Sequence, residues 1–269
     1  MTADRNHLRN TFDSVASLYD AVRPGYPDAL FEDVISLSGI PPGGRILEIG
    51  SGTGQATLPL ARRGYEMLCI ELGESLADIA RQNLSEYPRV EILTADFEDW
   101  PVEKGAFDLA VSAEAFHWLD PAVAYRKVFR ALKPGGAMAL FWNRHVWSER
   151  SERFFEAAQK VYERETPEIV KPEDHKGLSH PEEVSGRMDG IDETGLFGEV
   201  MVRKYPWEAE YDAAGYIRLL NTYSGHIALD DDARNRLFRG ITDLIEAEFD
   251  GRIVKQYLTV LYVANAENL

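Results

Sequence analysis

Ile46-Leu47-Glu48-Ile49-Gly50-Ser51-Gly52-Thr53-Gly54 is the stretch that decides the fold of this chain. A short apolar run, Arg45–Ile49, breaks into glycines at alternate positions, and Gln55–Arg63 beyond them reads as a helix. Glycine takes dihedrals closed to other residues and lets a ligand approach the main chain. A helix start supplies free N–H groups at the same place. Outward from this turn the rhythm repeats. Met67–Glu71, Val90–Thr94, Phe107–Ser112 and Ala137–Trp142 read as strands, with helices at Ser75–Leu84 and Ala122–Leu132. That alternation predicts a doubly wound α/β fold, a mostly parallel sheet with helices on both faces. Ligands of such sheets sit beyond the carboxyl ends of the strands, beside a switch in strand order.

The flanks divide the rest. Residues 1–40 read as an N-terminal helical cap. Phe12, Val15, Ala16, Leu18 and Tyr19 recur at helical spacing before Arg23-Pro24-Gly25-Tyr26-Pro27 interrupts. Asp28 is the expected cap of a second helix carrying Leu30, Phe31, Val34, Ile35 and Leu37. Residues 41–145 form the ligand-binding α/β core. Residues 146–198 are expected to be a lid insertion, a helix at Glu149–Glu165 and then the polar loop Thr166–Asp192. Residues 199–269 complete the sheet and the pocket, with strands at Glu199–Pro206 and Ile253–Ala264. The helices there are Asp212–Leu220 and Asp230–Phe249, the second capped by Asp230 or Asp231. Seven strands result, the last antiparallel. Residues 1–27 and 166–192 are expected to order over the site when cofactor and acceptor bind, because long polar loops in compact domains are usually lids or disordered.

Composition narrows the function. With 269 residues the chain fits a core domain plus a subdomain. Lys and Arg number 29 against 45 Asp and Glu, a net charge of −16. That balance opposes non-specific binding to nucleic acid or anionic lipid. No apolar run spans a membrane, and MTADRNHLRNTF has no signal-peptide core. The single cysteine, Cys69, forms no internal disulfide, so a cytoplasmic location is expected. His175 and His180, beside Asp174, Glu182 and Glu183, lack a metal-ligand spacing, and no metal is expected.

The ligand follows from what the glycine turn lacks. A phosphate-binding P-loop needs Gly-Lys-Ser/Thr, but Gly54 is followed by Gln55-Ala56-Thr57. A dinucleotide turn needs a third glycine where Gln55 stands, although Glu71 ends the second strand as a ribose-binding acid should. A nucleoside-containing ligand is common to the readings that survive.

Glu48-x-Gly50-x-Gly52-x-Gly54 resembles the first motif of class I S-adenosylmethionine-dependent methyltransferases. Further stations of that family follow in order: Cys69-Ile70-Glu71-Leu72, Thr94-Ala95-Asp96-Phe97, Phe107-Asp108-Leu109-Ala110-Val111 and Leu132-Lys133-Pro134-Gly135-Gly136. Tyr19-Asp20-x-x-Arg23-Pro24-Gly25-Tyr26-Pro27 and Ala115-Phe116-His117-Trp118-Leu119 resemble its small-molecule branch, that of trans-aconitate-type methyltransferases. The resemblance implies S-adenosyl-L-methionine as cofactor and a small-molecule acceptor methylated at O, N or C, a carboxylate among the options. By the same resemblance Glu48 complements the methionine ammonium, directly or through water, while Gly50, Ser51, Gly52 and Gly54 make room for its chain. Glu71 accepts from the ribose hydroxyls, Leu72 packs on the adenine, Asp96 accepts from its amino group and Phe97 donates a backbone N–H. Ala113 and Phe116 at the end of the fourth strand complete that set, and Tyr19 and Arg23 close over the methionine end. Should the acceptor need a base, His117, Tyr19 and His226 are the catalytic candidates, with Tyr223 placed beside His226. The rivals are an NAD-dependent oxidoreductase and a non-catalytic S-adenosylmethionine-binding protein. Composition leaves the oligomeric state open.

Overall fold

Strands β1 (Arg45–Ile49), β2 (Glu66–Glu71), β3 (Val90–Thr94) and β4 (Phe107–Ala113) pair in parallel, in the order β3-β2-β1-β4. The computed structural model describes residues 12–170, 177–184 and 190–267. β5 (Leu132–His145) continues the sheet parallel to β4, and β7 (Arg252–Asn265) then runs antiparallel between β5 and the edge strand β6 (Met201–Asp212). The central strands β1, β4, β5 and β7 and most of β2 are buried because they are apolar on both faces, whereas the edge strands β3 and β6 are half-buried to exposed. One face packs Phe31, Ile46, Leu60, Met67, Leu109 and Phe141. The other packs Leu47, Ile70, Val128, Met138 and Leu140.

The helices are α1 (Ala16–Val22), α2 (Asp28–Ser38), α3 (Thr57–Arg62), α4 (Glu74–Asn83), α5 (Pro121–Ala131) and α6 (Glu149–Glu165). After β6 come α7 (Ala213–Leu220), the short α8 (Ser224–Ile227) and α9 (Asp231–Glu248). α6, α7 and α9 share a third apolar cluster around Phe154, Tyr216, Leu237 and Ile241. Between β1 and β4 the strand order reverses, and the carboxyl ends of those strands open toward the segment carrying α1.

Several boundaries differ from the sequence reading, each for a local reason. β6 runs on to Asp212 rather than stopping at Pro206, because an edge strand tolerates a residue with no N–H to donate. β5 extends through Asn143, Arg144 and His145, which pair with Thr259, Leu258 and Tyr257 of β7. Pro27, not Asp28, holds the cap position of α2, and no side chain caps that helix. Asp230 does cap α9, accepting from Ala233 N–H at 2.9 Å. The helix after the glycine turn starts at Thr57 rather than Gln55, since Gly54, at φ +97°, and its bond to Ser51 C=O prolong the turn. Lys171, Asp174, His175 and Lys176 lie outside the described residues. Within the 166–192 segment, Lys204 Nζ donates to Val184 C=O and Trp147 N–H to Ser179 C=O. Residues 166–170 and 177–184 line neither cavity described below.

Candidate active site

At the strand-order switch lies a cavity of about 370 Å³. Its floor is the carboxyl edge of the sheet: Gly50 and Gly52 after β1, Glu71 and Leu72 at β2, Phe97 beyond β3 and Ala113 at the end of β4. Gly50 is obligatory here. It sits at φ +71°, and a Cβ built on it would lie 2.3 Å from Ala115 Cβ.

Glu71 is 7% exposed, and its carboxylate is oriented by the turn itself. Oε2 accepts Gly52 N–H at 2.8 Å and Oε1 accepts Gly73 N–H at 2.9 Å. Burial raises its pKa, and those backbone donors offset part of the rise. Each oxygen keeps a lone pair for a further donor, the geometry that a vicinal diol requires. Behind the turn, Ser51 Oγ, Thr53 Oγ1 and Gln55 Nε2 are buried without a hydrogen-bond partner among the described residues.

The roof is the N-terminal segment. Asp13 Oδ1 accepts Ser75 N–H at 2.7 Å and Leu76 N–H at 3.1 Å at the start of α4. Asn83 Nδ2 donates to Asp20 at 2.9 Å, and Arg23 donates to Thr222 Oγ1 at 2.9 Å and to Thr222 C=O at 2.6 Å. These ties hold Phe12, Tyr19 and Arg23 over the cavity, with Tyr223 beside them. The Arg23 guanidinium is 4.9 Å from the Tyr19 ring centre and 4.6 Å from that of Tyr223.

A second cavity, of about 390 Å³, shares Tyr19, Arg23, Glu114 and Tyr223 with the first. Its far wall is Asn143, His145, Lys255 and Tyr257 from β5 and β7. Lys255 is only 5% exposed. Its Nζ donates to Tyr223 Oη at 2.9 Å, and it makes no ion pair among the described residues. Burial pushes the Tyr223 phenol upward, and Lys255 and Arg23 outweigh it to hold that phenol below its usual range.

The sequence candidates fall into two groups. Tyr19, Arg23, Gly50, Gly52, Glu71, Leu72, Phe97, Ala113 and His117 line the first cavity. Six others do not. Glu48 is fully buried behind the glycine turn, with Cys69 Sγ donating to it at 3.6 Å. Burial pushes its pKa up to about 7, and it lines neither cavity. Ser51 and Gly54 sit behind the turn, Gly54 packed on Leu84. Asp96 turns to cap its own loop, accepting Glu98 N–H, while its neighbours Ala95 and Phe97 face the cavity. Phe116 packs on Tyr125 with ring centres 5.0 Å apart. His226 lines neither cavity, because its Nε2 is bonded to Tyr162 Oη at 2.8 Å in the helical cluster. Burial and Lys255 push its pKa down to about 4.

His117 reaches the cavity, but Trp142 Nε1–H donates to its Nδ1 at 3.0 Å. Indole nitrogen only donates, so His117 holds its own proton on Nε2 and presents a donor. Glu114, Lys255 and Tyr257 escape the sequence reading. Glu114 carries one signal, an acid immediately after a strand end. Lys255 carries another, a lone charge within the apolar run Ile253–Ala264.

Comparison with known proteins agrees with this geometry. Residues 47–140 match the family described as a methyltransferase domain. An uncharacterized methyltransferase of Mycobacterium bovis is 32% identical over 143 residues, 53% of this chain and 56% of that protein. A malonyl-[acyl-carrier protein] O-methyltransferase of Geobacter sulfurreducens is 36% identical over 146 residues, 51% of this chain and 54% of that protein. The match thus spans little more than half the length of these relatives. Among solved structures, a protein of Anaeromyxobacter dehalogenans assigned as a type II methyltransferase superposes with a TM-score of 0.59 at 20% identity. It covers 90% of this chain and 97% of its own. A Haemonchus contortus phosphoethanolamine N-methyltransferase bound to S-adenosylhomocysteine gives 0.53 at 16% identity, over 94% of this chain and 57% of its own. Residues 47–140 thus resemble a methyltransferase domain, carried on a Rossmann-like fold. The diol-ready Glu71 and the close approach at Gly50 fit S-adenosyl-L-methionine, the cofactor of that domain class.

Proposed function

We propose that the chain transfers the methyl group of S-adenosyl-L-methionine to an O, N or C atom of a small molecule held in the second cavity. The observation that carries this reading is that the two cavities adjoin, with Tyr19, Arg23, Glu114 and Tyr223 lining both, so that a donor bound in one would lie beside an acceptor in the other. Bound cofactor supplies an already activated sulfonium methyl. The protein's own work is alignment and exclusion of water. Glu71 would hold the ribose, Gly50 and Gly52 would clear the path of the amino-acid chain, and Leu72 and Phe97 would flank the adenine.

The acceptor's class follows from Lys255. A buried ammonium without a carboxylate partner is costly unless a ligand supplies the anion. With Arg23 opposite, the second cavity suits a small molecule bearing an anionic group, of which a carboxylate is the simplest. The named O-methyltransferase among the relatives supports oxygen as one site of transfer.

Calorimetry with S-adenosylmethionine, S-adenosylhomocysteine and NAD tests the cofactor. Binding of the first two and none of NAD is expected; binding of NAD alone would establish the oxidoreductase alternative. Incubating labelled S-adenosylmethionine with a panel of small organic acids and their neutral amides tests the acceptor, with label expected in the acids. Cofactor binding without label in any compound would favour the non-catalytic alternative.

A further inference from the structure

We propose that Glu114 is the base of this site, its carboxylate taking the proton from a hydroxyl or carbon-acid nucleophile of the acceptor. The inference rests on the proposed function and sharpens it. The acceptor's anionic group becomes the handle that Lys255 and Arg23 grip, and a separate protic group on the same molecule receives the methyl.

Position comes first. Glu114 directly follows β4 and is one of the residues common to both cavities. Its backbone lies at φ +57°, a left-handed conformation that residues with a Cβ adopt rarely and that concentrates at functional sites. Two bonds to β5 hold it there. Glu114 N–H donates to Phe141 C=O at 3.0 Å, and its Oε1 accepts Asn143 N–H. The side chain is therefore fixed at both ends, and Oε2 is left for the cavity.

The neighbours exclude the other shared residues. Arginine is not a base at neutral pH. The Tyr19 phenol is raised by burial and stays protonated. Tyr223 Oη is occupied by Lys255 Nζ. His117 presents a donor, and burial and the Lys255 charge hold His145 well below the usual imidazole range, which makes it a weak base. The charges facing Glu114 are Arg23 and the phenols of Tyr19 and Tyr26 from the N-terminal segment, and Arg144 from β5. Across the cavity stand Tyr223 and Lys255. Burial pushes the Glu114 carboxyl up to about 7 against the pull of Asn143 N–H, Arg23 and Arg144. A base is most effective with a pKa near the working pH.

The step balances. The acceptor O–H or C–H bond breaks and its proton passes to Glu114 Oε2. The electron pair left on the acceptor forms the new bond to the methyl carbon. The carbon–sulfur pair stays on sulfur, which becomes a neutral thioether. Glu114 then returns its proton to water.

The test uses S-adenosylhomocysteine and sinefungin, an analogue that carries a protonated amine where the sulfonium methyl stands. An ionised Glu114 facing that position favours sinefungin. The ratio of sinefungin to S-adenosylhomocysteine affinity, measured by calorimetry, should rise about tenfold from pH 6 to pH 8, as a group titrating near 7 requires. In Glu114→Gln the ratio should be flat with S-adenosylhomocysteine affinity retained, whereas Tyr223→Phe should keep the rise. On the unaltered protein, infrared difference spectra at pH 6 should show loss of a protonated-carboxyl band when sinefungin replaces S-adenosylhomocysteine. A flat ratio in the unaltered protein, a rise that survives Glu114→Gln, or no carboxyl signal would each overturn the role of Glu114. Failure of the unaltered protein to bind S-adenosylhomocysteine would instead remove the proposed function and this inference with it.

Discussion

Glu71 ties the glycine turn to the cofactor half of the site on both of its oxygens. Gly52 N–H holds one and Gly73 N–H the other, so the same carboxylate shapes the turn and offers lone pairs to a diol. Glu71→Ala should therefore weaken S-adenosylhomocysteine binding by on the order of 1.5–3 kcal/mol, a lost charged hydrogen bond. Calorimetry would read this, and unchanged affinity would place the ligand elsewhere. Glu48 behaves differently, being fully buried with its pKa pushed up to about 7. A carboxyl whose folded pKa exceeds its unfolded value favours the fold most when protonated. Its contribution is thus full below about 4.5, declines as pH rises to about 7, and stays at its lowest above that. Glu48→Gln should leave stability unchanged at pH 4 and raise it at pH 8 by on the order of 3 kcal/mol. Urea unfolding at the two pH values checks the sign, and a loss of stability at pH 8 would show that ionised Glu48 has a partner in the fold.

At the scale of elements, α1 and the turn before it act as a strap on α4, on α7 beside β6, and on the glycine turn. Asp13 caps α4 from outside that helix, and its three bonds to Ser75 and Leu76 place Leu76 in the cavity wall. Asp13→Ala should cost about 1 kcal/mol at this cap, weaken S-adenosylhomocysteine binding several-fold, and speed hydrogen exchange across residues 12–22. Equal exchange in variant and parent would mean that the other ties suffice. The elements differ in how plainly the sequence announces them. β1, β2, β3 and β4 are short apolar runs bounded by turn residues, and Glu71 is legible as the acid that ends the second strand. The ends of β5 and β6 are not, since Asn143, Arg144 and Pro206 carry no apolar signal and are held by pairing with β7. Glu114 and Lys255 are illegible as a pair for a further reason. They are brought to one cavity by the sheet order, in which β7 inserts beside β5, and no spacing along the chain encodes that meeting. Tyr19 and Arg23 line the first cavity, whereas Val184 accepts from Lys204 of β6.

On the scale of the whole molecule, a net charge of −16 surrounds a site whose own charges include Arg23 and the buried Lys255. Such a surface produces a negative potential felt at the cavity mouth and screened over a Debye length of about 8–10 Å near physiological salt. The two cofactor forms sense it differently. S-adenosylmethionine carries one net positive charge, from its sulfonium, whereas S-adenosylhomocysteine is net neutral. The field therefore draws in the reactant and has no hold on the product. It opposes an anionic acceptor at a distance, so the local cations at Lys255 and Arg23 must act at short range, inside the cavity, where salt screens least. The association rate of S-adenosylmethionine should thus fall a few-fold between low salt and about 300 mM NaCl, while that of S-adenosylhomocysteine stays nearly constant. Stopped-flow binding followed by tryptophan fluorescence, with Trp118 in the cavity wall, would measure both. Parallel salt dependence for the two ligands would show that the surface charge does not reach the site, and would leave discrimination between reactant and product to contacts at the sulfonium itself.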